Sequence, residues 1–557
     1  MREKPTAARP GTWNQQNLLD KAIAYVAPRI AARRLMARAA LSSVGAYSGA
    51  GGYLGARRDR AATSTWNPGG GSPNTDIIPD LPALRERSRD QLRNAPVAVG
   101  AVNTNVGHVI GTGLSCTPSI QNEILGISED EATVWNASTK HSFNVWAKSV
   151  DCDLSRKCDF YGLQDLGYRT ELSSGDAFFL TPLLSRGGAV RLALQGIEAD
   201  CVSNPNRTAN TDTLVDGVEV NPATGEAIAI QVADRHPGEV RTAGTKWTRV
   251  PLRGAQTDRR NVLQLMEHLR FGQHRGVPWI APILEPLKQL NKWTDNELAA
   301  AVASSVFAVF VKMETEAFHD LFQNNDSVKS TLDSAEQWSG EMGGGKAVHL
   351  LPGEDVTSAS PGRPNPEFDP FWTAMVRQMG MALGMPYEVL VMHFQSSYTA
   401  ARGAFLMATK FFKCRRDRVV TQFCQPVYEL WLANEVSSGR IQAPGFFASP
   451  ELRSAWCNAV WTGDGAGTLD PQKEVAAARA RVDMEISTLD AESILHDGVD
   501  WATKHKQRAK EIAAQKRDGT YVAPAGAPAQ AQGDAADSPD TEDGDQPPVP
   551  TRTRNAR

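Results

Sequence analysis

One apolar stripe constrains this chain more than any other feature. Phe405, Phe412, Val419, Phe423, Val427 and Trp431 are spaced by seven and then by four residues. Residues at those steps share one face of an α-helix. The spacing therefore predicts a single helix from about Tyr398 to Asn434 with one buried side. Pro426 lies within it and predicts a kink, because proline lacks the helical amide proton and crowds the preceding turn. A second amphipathic helix comes just before. Phe368, Phe371, Trp372, Met375, Met379 and Leu383 form its stripe, and Gly384 with Pro386 ends it. The segment Tyr387–Ser397 between the two helices reads as a loop. Any fold for this chain must accommodate two helices joined by that short loop.

The body that receives them mixes α and β. Leu84–Leu92 and Val97–Ile110 read as helices separated by Asn94-Ala95-Pro96, with Pro96 suited to an early helical position. Short β-prone runs follow at Asp176–Pro182, Gly196–Val202, Gly217–Val220, Glu226–Val232, Trp247–Leu252 and Val262–Leu269. Asn221-Pro-Ala-Thr-Gly225 reads as a hairpin loop. Pro282 to Ser305 is helical, with Ile283, Leu287 and Leu290 on its stripe and Leu298 and Val302 continuing it. Phe307–Lys312 and Ala347–Leu351 read as strands. A last helical pair lies between Asp470 and Ala514, broken near Thr488 and Gly498. No repeat of fixed period is present.

The two ends differ in charge. Arg2, Lys4, Arg9, Lys21, Arg29, Arg33, Arg34, Arg38, Arg57, Arg58 and Arg60 face only Glu3, Asp20 and Asp59. That basic arm runs into a Gly-rich linker between Gly45 and Gly71. From about Arg517 onward Ala, Pro, Gly, Gln and Asp dominate. Such a segment buries too little apolar area to offset its ordering entropy, which predicts a disordered acidic tail.

The whole chain of 557 residues is nearly balanced, with 59 basic and 63 acidic side chains. That balance argues against a protein whose entire surface clamps phosphates. Seven cysteines without framework spacing point to a reduced, intracellular setting. Leu298–Val311 is uncharged but shorter than the ~20 apolar residues of a bilayer span. Met1 to Asp20 has no apolar core of a secretory signal.

A search for chemistry returns little. Gly340-Glu-Met-Gly-Gly-Gly345-Lys346-Ala347 has phosphate-loop spacing up to the lysine. Ala347 then replaces the hydroxyl that Mg²⁺ requires, and a β-like run follows where a helix should start. A Gly-rich turn is the better reading. Gly111-Thr-Gly113 is too short for a dinucleotide fingerprint. Cys152 and Cys158 lack zinc spacing. Cys414, Cys424 and Cys457 read as small packed residues. Asp151 and Asp153 read as solvated loop charges. His393 reads as an exposed loop histidine. No nucleophile elbow is present. No catalytic residue, metal ligand or cofactor site is assigned. Lys410, Lys413, Arg415, Arg416 and Arg418 crowd the middle of the long helix, as a contact for DNA or a neighbouring subunit's carboxylates, or as a solvated face.

Several ordered segments carry a family resemblance. They are Leu84-Arg-Glu-Arg-Ser-Arg-Asp90 with Arg93-Asn94; Ala101-Val-Asn103 with Val109-Ile-Gly-Thr-Gly-Leu114; and Leu194-Gln-Gly-Ile-Glu-Ala-Asp200. Further along come Arg275-Gly-Val-Pro278-Trp279 with Leu287; Leu350-Leu-Pro-Gly353; and Met379-Gly-Met-Ala-Leu-Gly-Met-Pro386. The last are Ser397-Tyr398-Thr-Ala-Ala-Arg402, Asp470-Pro-Gln-Lys-Glu474 and Gly498-Val-Asp-Trp501. In that order and spacing, from about Arg29 to Glu511, the chain resembles bacteriophage portal proteins of the lambda type.

The resemblance implies an α+β portal fold that assembles as a dodecameric ring at one capsid vertex. After a basic arm over 1–70 it implies an α/β wing over 71–281 and a first stem helix over 282–305. A clip over 306–364, a second stem helix and turn over 365–390 and a tunnel loop over 391–397 follow. The long helix and wing return then occupy 398–469 and a helical crown 470–516, before the tail over 517–557. The DNA-facing tunnel loop would be Val391, Met392, His393, Phe394, Gln395, Ser396 and Ser397. Implied partners are other copies of the chain, the terminase large subunit, major capsid and scaffold proteins, head-completion and tail-connector proteins, and double-stranded DNA passing without sequence preference. The implied location is the virion, and the host cytoplasm during assembly, with no membrane and no enzymatic activity. A packaging motor or nuclease, and a capsid or scaffold protein without a channel, are the alternatives.

Overall fold

A computed structural model of the chain describes residues 64–66, 68–187, 189–239, 244–305, 309–313, 354–358, 365–394, 397–465 and 470–521. The basic arm, the Gly340–Ala347 turn, the expected strand Ala347–Leu351 and nearly all of the acidic tail lie outside those residues. The architecture is mixed helix and sheet, and divides into two compact units.

The first unit comprises Met1–Asn94, Thr170–Phe178 and Ile197–Glu285. Helix α1, Leu81–Asn94, buries Leu81, Arg85, Ser88 and Gln91 along one face. A four-stranded antiparallel sheet has the order Leu214–Val215, Val218–Val220, Ala227–Ala233, Trp247–Pro251. Its register pairs Val218 with Ile230 and Ala229 with Pro251. The expected Asn221–Gly225 loop forms. Asn221 donates its N–H to the Glu226 carbonyl at 2.8 Å, and Gly225 takes φ +74°. A three-stranded sheet has the order Val262–Met266, Asp176–Leu180, Gln195–Glu198.

A fully buried guanidinium organises this unit. Arg275 Nε lies 2.7 Å from Asp176 Oδ2, and neither side chain is exposed. Its Nη1 reaches the Val202 carbonyl at 2.7 Å and Asp216 Oδ2 at 2.7 Å, and Nη2 reaches the Ala199 carbonyl at 2.7 Å. Phe178 lies under the guanidinium, 5.3 Å from ring centre to Cζ. Arg85 adds Nη2 to Asp176 at 3.3 Å and Nε to the Ser174 carbonyl at 3.0 Å. Burying these charges is costly, and only such complete satisfaction makes it tolerable. Burial alone would pull the Arg275 pKa down, but Asp176 and Asp216 outweigh it and raise it.

The second unit comprises Ala95–Arg169, Phe179–Gly196 and Pro286–Arg557. Its helices of nine or more residues, each lying wholly or mainly within it, begin with α2 Pro96–Val109, α3 Glu129–Ala147, α4 Phe160–Ser174, α5 Leu284–Ser305, α6 Phe368–Leu383, α7 Tyr398–Val419 and α8 Gln425–Ser437. They are followed by α9 Pro471–Asp483, α10 Leu489–Asp497 and α11 Trp501–Arg517. The last helical pair expected from sequence is thus three helices. Its breaks fall at the expected places: Thr488 caps α10, and Gly498 ends it at φ +81°.

The long-helix stripe supplies the aromatic core. Phe423 lies 5.7 Å from Phe160 and 4.2 Å from Phe179, while Trp431 lies 5.0 Å from Phe143. The expected kink takes the form of a π-turn, Val420–Cys424, directly before α8. Pro426 has no N–H for the carbonyl four residues back, and a wider turn there accommodates the missing bond. Helices α3 and α4 go beyond the sequence reading. A sequence signal did exist for α3, since Ser128 and Glu131 form a reciprocal capping box. The antiparallel hairpin Leu183–Arg186 with Ala189–Leu192 and the pairing of Ser115–Pro118 with Ala459–Thr462 were also not anticipated.

Val309–Met313 is a strand, overlapping the expected Phe307–Lys312, and pairs antiparallel with Glu354–Ser358. Three further sequence readings change. Leu287 and Leu290 are buried as expected, but Leu298 and Val302 stand exposed further along α5. Asp153 is buried rather than solvated: it accepts backbone N–H groups of Ser155 at 3.0 Å and Lys157 at 2.9 Å. Burial pushes its pKa up, but the Ser155 hydroxyl, followed by those backbone N–H groups, outweighs it and lowers the pKa. All seven cysteines are free; Cys424 and Cys457 are buried, but Cys414 is exposed. Among the described residues no helix is long and apolar enough to cross a membrane.

Candidate functional site

The segment between α6 and α7 is set by its neighbours on both sides. Helix α6 buries Val376, Met379 and Leu383, and Gly384 ends it at φ +70°. A Cβ on Gly384 would come within 2.8 Å of the Phe411 ring of α7, so the turn needs glycine both for its conformation and for space. The chain then makes a short helix, Tyr387–Leu390, within the expected loop. Val389 and Leu390 are buried and anchor it. The outer end of the α6 stripe is less covered. Phe368 stacks on Trp293 of α5 at 4.8 Å, and Phe371 packs against the same ring at 4.7 Å, yet Phe371 is 47% exposed.

Beyond Leu390 the chain turns outward. Val391 is half-buried, and Met392 takes φ +53°. The His393 N–H donates to the Glu388 carbonyl at 3.1 Å and closes the turn. Met392, His393 and Phe394 are exposed, Met392 at 67% and Phe394 at 54%. Gln395 and Ser396 lie outside the described residues. Ser397 is exposed at the N-cap of α7, where its carbonyl accepts the Ala401 N–H at 2.9 Å. Between two anchored helices, Met392, His393, Phe394 and Ser397 are therefore displayed to solvent.

The basic cluster of α7 does not act as one surface. Lys410 and Lys413 are exposed. Arg415 is buried, with its guanidinium over the Phe411 ring at 4.8 Å. Arg416 turns to the C-terminus of α2. It donates from Nε to the Val109 carbonyl at 3.0 Å and from Nη2 to the His108 carbonyl at 2.8 Å. Those carbonyls lack partners within their own helix, so the cation satisfies them and complements the helix dipole. Burial lowers the Arg416 pKa, opposed by Asp464 and Asp417. Arg418 is half-buried.

The Ile110–Leu114 segment is bound into the same joint. Thr112 donates its N–H at 2.8 Å and its hydroxyl at 2.6 Å to the Asp464 carboxylate. Gly111 takes φ +58°, and a Cβ there would collide with that carboxylate. Between α2, α7, residues 460–465 and α10 lies a groove of about 330 Å³ in which His108 stacks on Phe412 at 4.7 Å. Burial, then Arg416, lowers the His108 pKa.

In the first unit, Glu198, Asp200 and His236 bring three ligand atoms within 4.8 Å of one another. His236 Nδ1 accepts the Gly238 N–H at 3.0 Å, and its Nε2 lies 3.4 Å from Asp200. Arg85 and Arg89 also hold Asp200. Burial would raise that carboxyl, but these two arginines lower it.

A family model described as phage portal protein, lambda family, matches residues 59–416. Portal protein B of Escherichia phage lambda is 25% identical over 495 residues, covering 85% of this chain and 90% of that protein. The portal protein of Escherichia phage N15 is 26% identical over 470 residues, covering 80% and 86%. Similar solved structures include a chain from the neck of a native gene transfer agent particle with C12 symmetry. It has a TM-score of 0.42 and 12% identity, covering 75% of this chain and 92% of that one. A chain from the neck of the empty particle has a TM-score of 0.41 and 14% identity, covering 67% and 86%.

Proposed function

This chain belongs to the lambda family of phage portal proteins, and from that premise we propose how its parts divide the work. Portal proteins are structural components of the virion head–tail connector. In our reading the copies close into a ring through head-to-tail contacts whose rotation divides a full turn, and the number twelve is carried over from the family. Double-stranded DNA enters through that ring, driven by a separate terminase, and later leaves through it toward the tail. The chain itself carries out no catalysis. Residues 306–364 would meet the terminase and afterwards the head-completion proteins, while capsid and scaffold proteins surround the ring during assembly in the host cytoplasm.

The observation that carries this reading is the turn between α6 and α7. Val391, Met392, His393, Phe394, Gln395, Ser396 and Ser397 contain no acidic or lysine and arginine side chain. The narrowest part of a conduit must centre DNA without gripping it there, since each neutralised phosphate adds binding free energy that sliding must overcome. Side chains without carboxylate, ammonium or guanidinium groups, held between anchored helices, narrow a channel by steric contact and oppose backsliding. Lys410 and Lys413 would contact DNA or a neighbouring subunit's carboxylates, because they alone of the cluster are exposed.

Two measurements test this. The 60.4 kDa chain should assemble to roughly 0.7 MDa with a central hole, seen by native mass measurement and negative-stain imaging. Deleting His393 to Ser396 should leave those rings intact but lower the DNA retained in filled heads. Normal packaging and retention by the deletion variant would refute the role given to the turn. A monomer unable to assemble at any salt or concentration would refute the ring.

A further inference from the structure

Helix α11 equals α7 in net positive charge, packed into fewer residues. Its 17 residues carry Lys504, Lys506, Arg508, Lys510, Lys516 and Arg517 against Glu511 alone. The whole chain is net negative. The charges on α11 are also sorted by face. Lys504, Ile512, Ala514 and Gln515 are half-buried and define the inner side. On that side Lys504 is paired with Asp497 at 2.6 Å, and Arg508 lies nearby with Glu511 at 3.5 Å. At 100° per residue, Lys506, Lys510 and Arg517 fall within about 40° of each other on the opposite, outer side. All three are exposed. Among the described residues neither lysine meets a carboxylate, and Arg517 has only the exposed Asp518 at 3.3 Å. A pair exposed to that degree opens at little cost.

We propose that this outer stripe of α11 is a contact for the phosphate backbone of duplex DNA, without base recognition. The stripe is flanked by Ala502, Ala509 and Ala513, so nothing bulky keeps a broad polyanion away from the three cations. Gln507, on one flank, donates to Glu511 at 3.1 Å, and Gln515 lies on the inner side. Cations over small residues fit phosphates, which position a duplex and carry no sequence information directly. None of the α11 residues is buried, so its surface charge is not required by the core. This inference rests on the reading that DNA passes through the assembled protein.

The test uses the full-length assembled protein and a fluorescent duplex of mixed sequence, titrated by anisotropy between 50 and 200 mM salt. Lys506→Ala, Lys510→Ala and Arg517→Ala are combined, since alanine keeps the helix. The triple variant should bind about tenfold or more weakly at 50 mM salt. Its log–log salt slope should be smaller by roughly 2 to 3, near 0.9 per lost phosphate contact. The charge-preserving set Lys506→Arg, Lys510→Arg and Arg517→Lys should keep wild-type binding. Unchanged affinity and slope in the alanine variant would overturn the inference, as would equal loss in both sets. An alanine variant that binds DNA like wild type, while neutralising the acidic residues from Asp534 to Asp545 tightens binding, would assign the stripe to the chain's own tail and overturn it too. Ring mass is recorded for every variant. Wild-type protein that forms no ring counts against the portal mechanism, whereas intact rings with indifferent DNA binding count against the stripe alone.

Discussion

Arg275 and Asp176 are 99 residues apart in sequence and form an ion pair from which solvent is fully excluded, Nε to Oδ2 at 2.7 Å. Asp176 also accepts from Arg85, and from the Gly276 N–H at 3.2 Å. The pair thereby ties the start of one strand to the turn that leaves another. Removing one partner strands the other as an uncompensated buried charge. Arg275→Met should lower unfolding stability by about 3–5 kcal/mol, read from urea denaturation. A loss below 1 kcal/mol would show that the network is not the organiser of this unit.

Asp200 makes the same network sensitive to acid. Burial raises its pKa, but Arg85 and Arg89 together hold it below the ordinary carboxylate range. The folded protein therefore binds this proton less readily than the unfolded chain. The resulting stability is present above the unfolded pKa of about 3.9 and is lost as pH falls through the folded value. Asp200→Asn should flatten the acid limb of a stability–pH curve while leaving its neutral-pH slope alone. An unchanged acid limb would assign the dependence to other carboxylates.

Arg416 joins α7 to the end of α2 by two carbonyl bonds. Arg416→Ala should cost on the order of 1–3 kcal/mol, because the carbonyls lose a charged donor. Arg416→Lys should recover only part of that, since an ammonium cannot span both carbonyls with the same planar fork. Equal stability of the two variants, by thermal unfolding, would contradict the geometry.

Gly384 is expected to tolerate no side chain. Its φ of +70° disfavours any L-residue, and a Cβ would press on Phe411. Gly384→Ala should destabilise by more than about 1 kcal/mol. Phe394→Ala, at an exposed position, should change stability by less than about 0.5 kcal/mol. A stability loss for Phe394→Ala matching that of Gly384→Ala would mean that the turn is packed rather than displayed.

The sequence was most legible where one side of an element is buried. Phe423, Val427 and Trp431 lie in the core, as their spacing requires. Gly384 and Gly498 end their helices as punctuation predicts. The missed helices α3 and α4 mix apolar with polar residues around their circumference, so their periodicity is weak. Of these two, α3 nonetheless had its cap in Ser128 and Glu131. Of the expected site, Tyr387–Ser397 reads as a loop because Gly384 and Pro386 end the preceding helix, whereas the narrower 391–397 follows only from the resemblance. The basic run on α7 was the harder case. Sequence puts Lys413, Arg415 and Arg416 within one turn, but only partners distant in the chain decide that Arg416 faces the carbonyls of α2. The Arg275 network was invisible for the same reason: its carboxylates and carbonyls come from three separate segments.

The π-turn at Val420–Cys424 holds one more residue than an ordinary turn of this rod. Upstream, Phe405, Phe412 and Val419 are spaced in sevens; downstream, Phe423, Val427 and Trp431 are spaced in fours. The extra residue works like the offset between two gears on one shaft, rotating the later half by about 100° relative to a plain continuation. Deleting a single residue such as Thr421 would therefore leave the rod whole yet swing Trp431 away from Phe143. Small insertions and deletions here are read as rotations, so this stretch can change its length far less freely than its amino-acid identities.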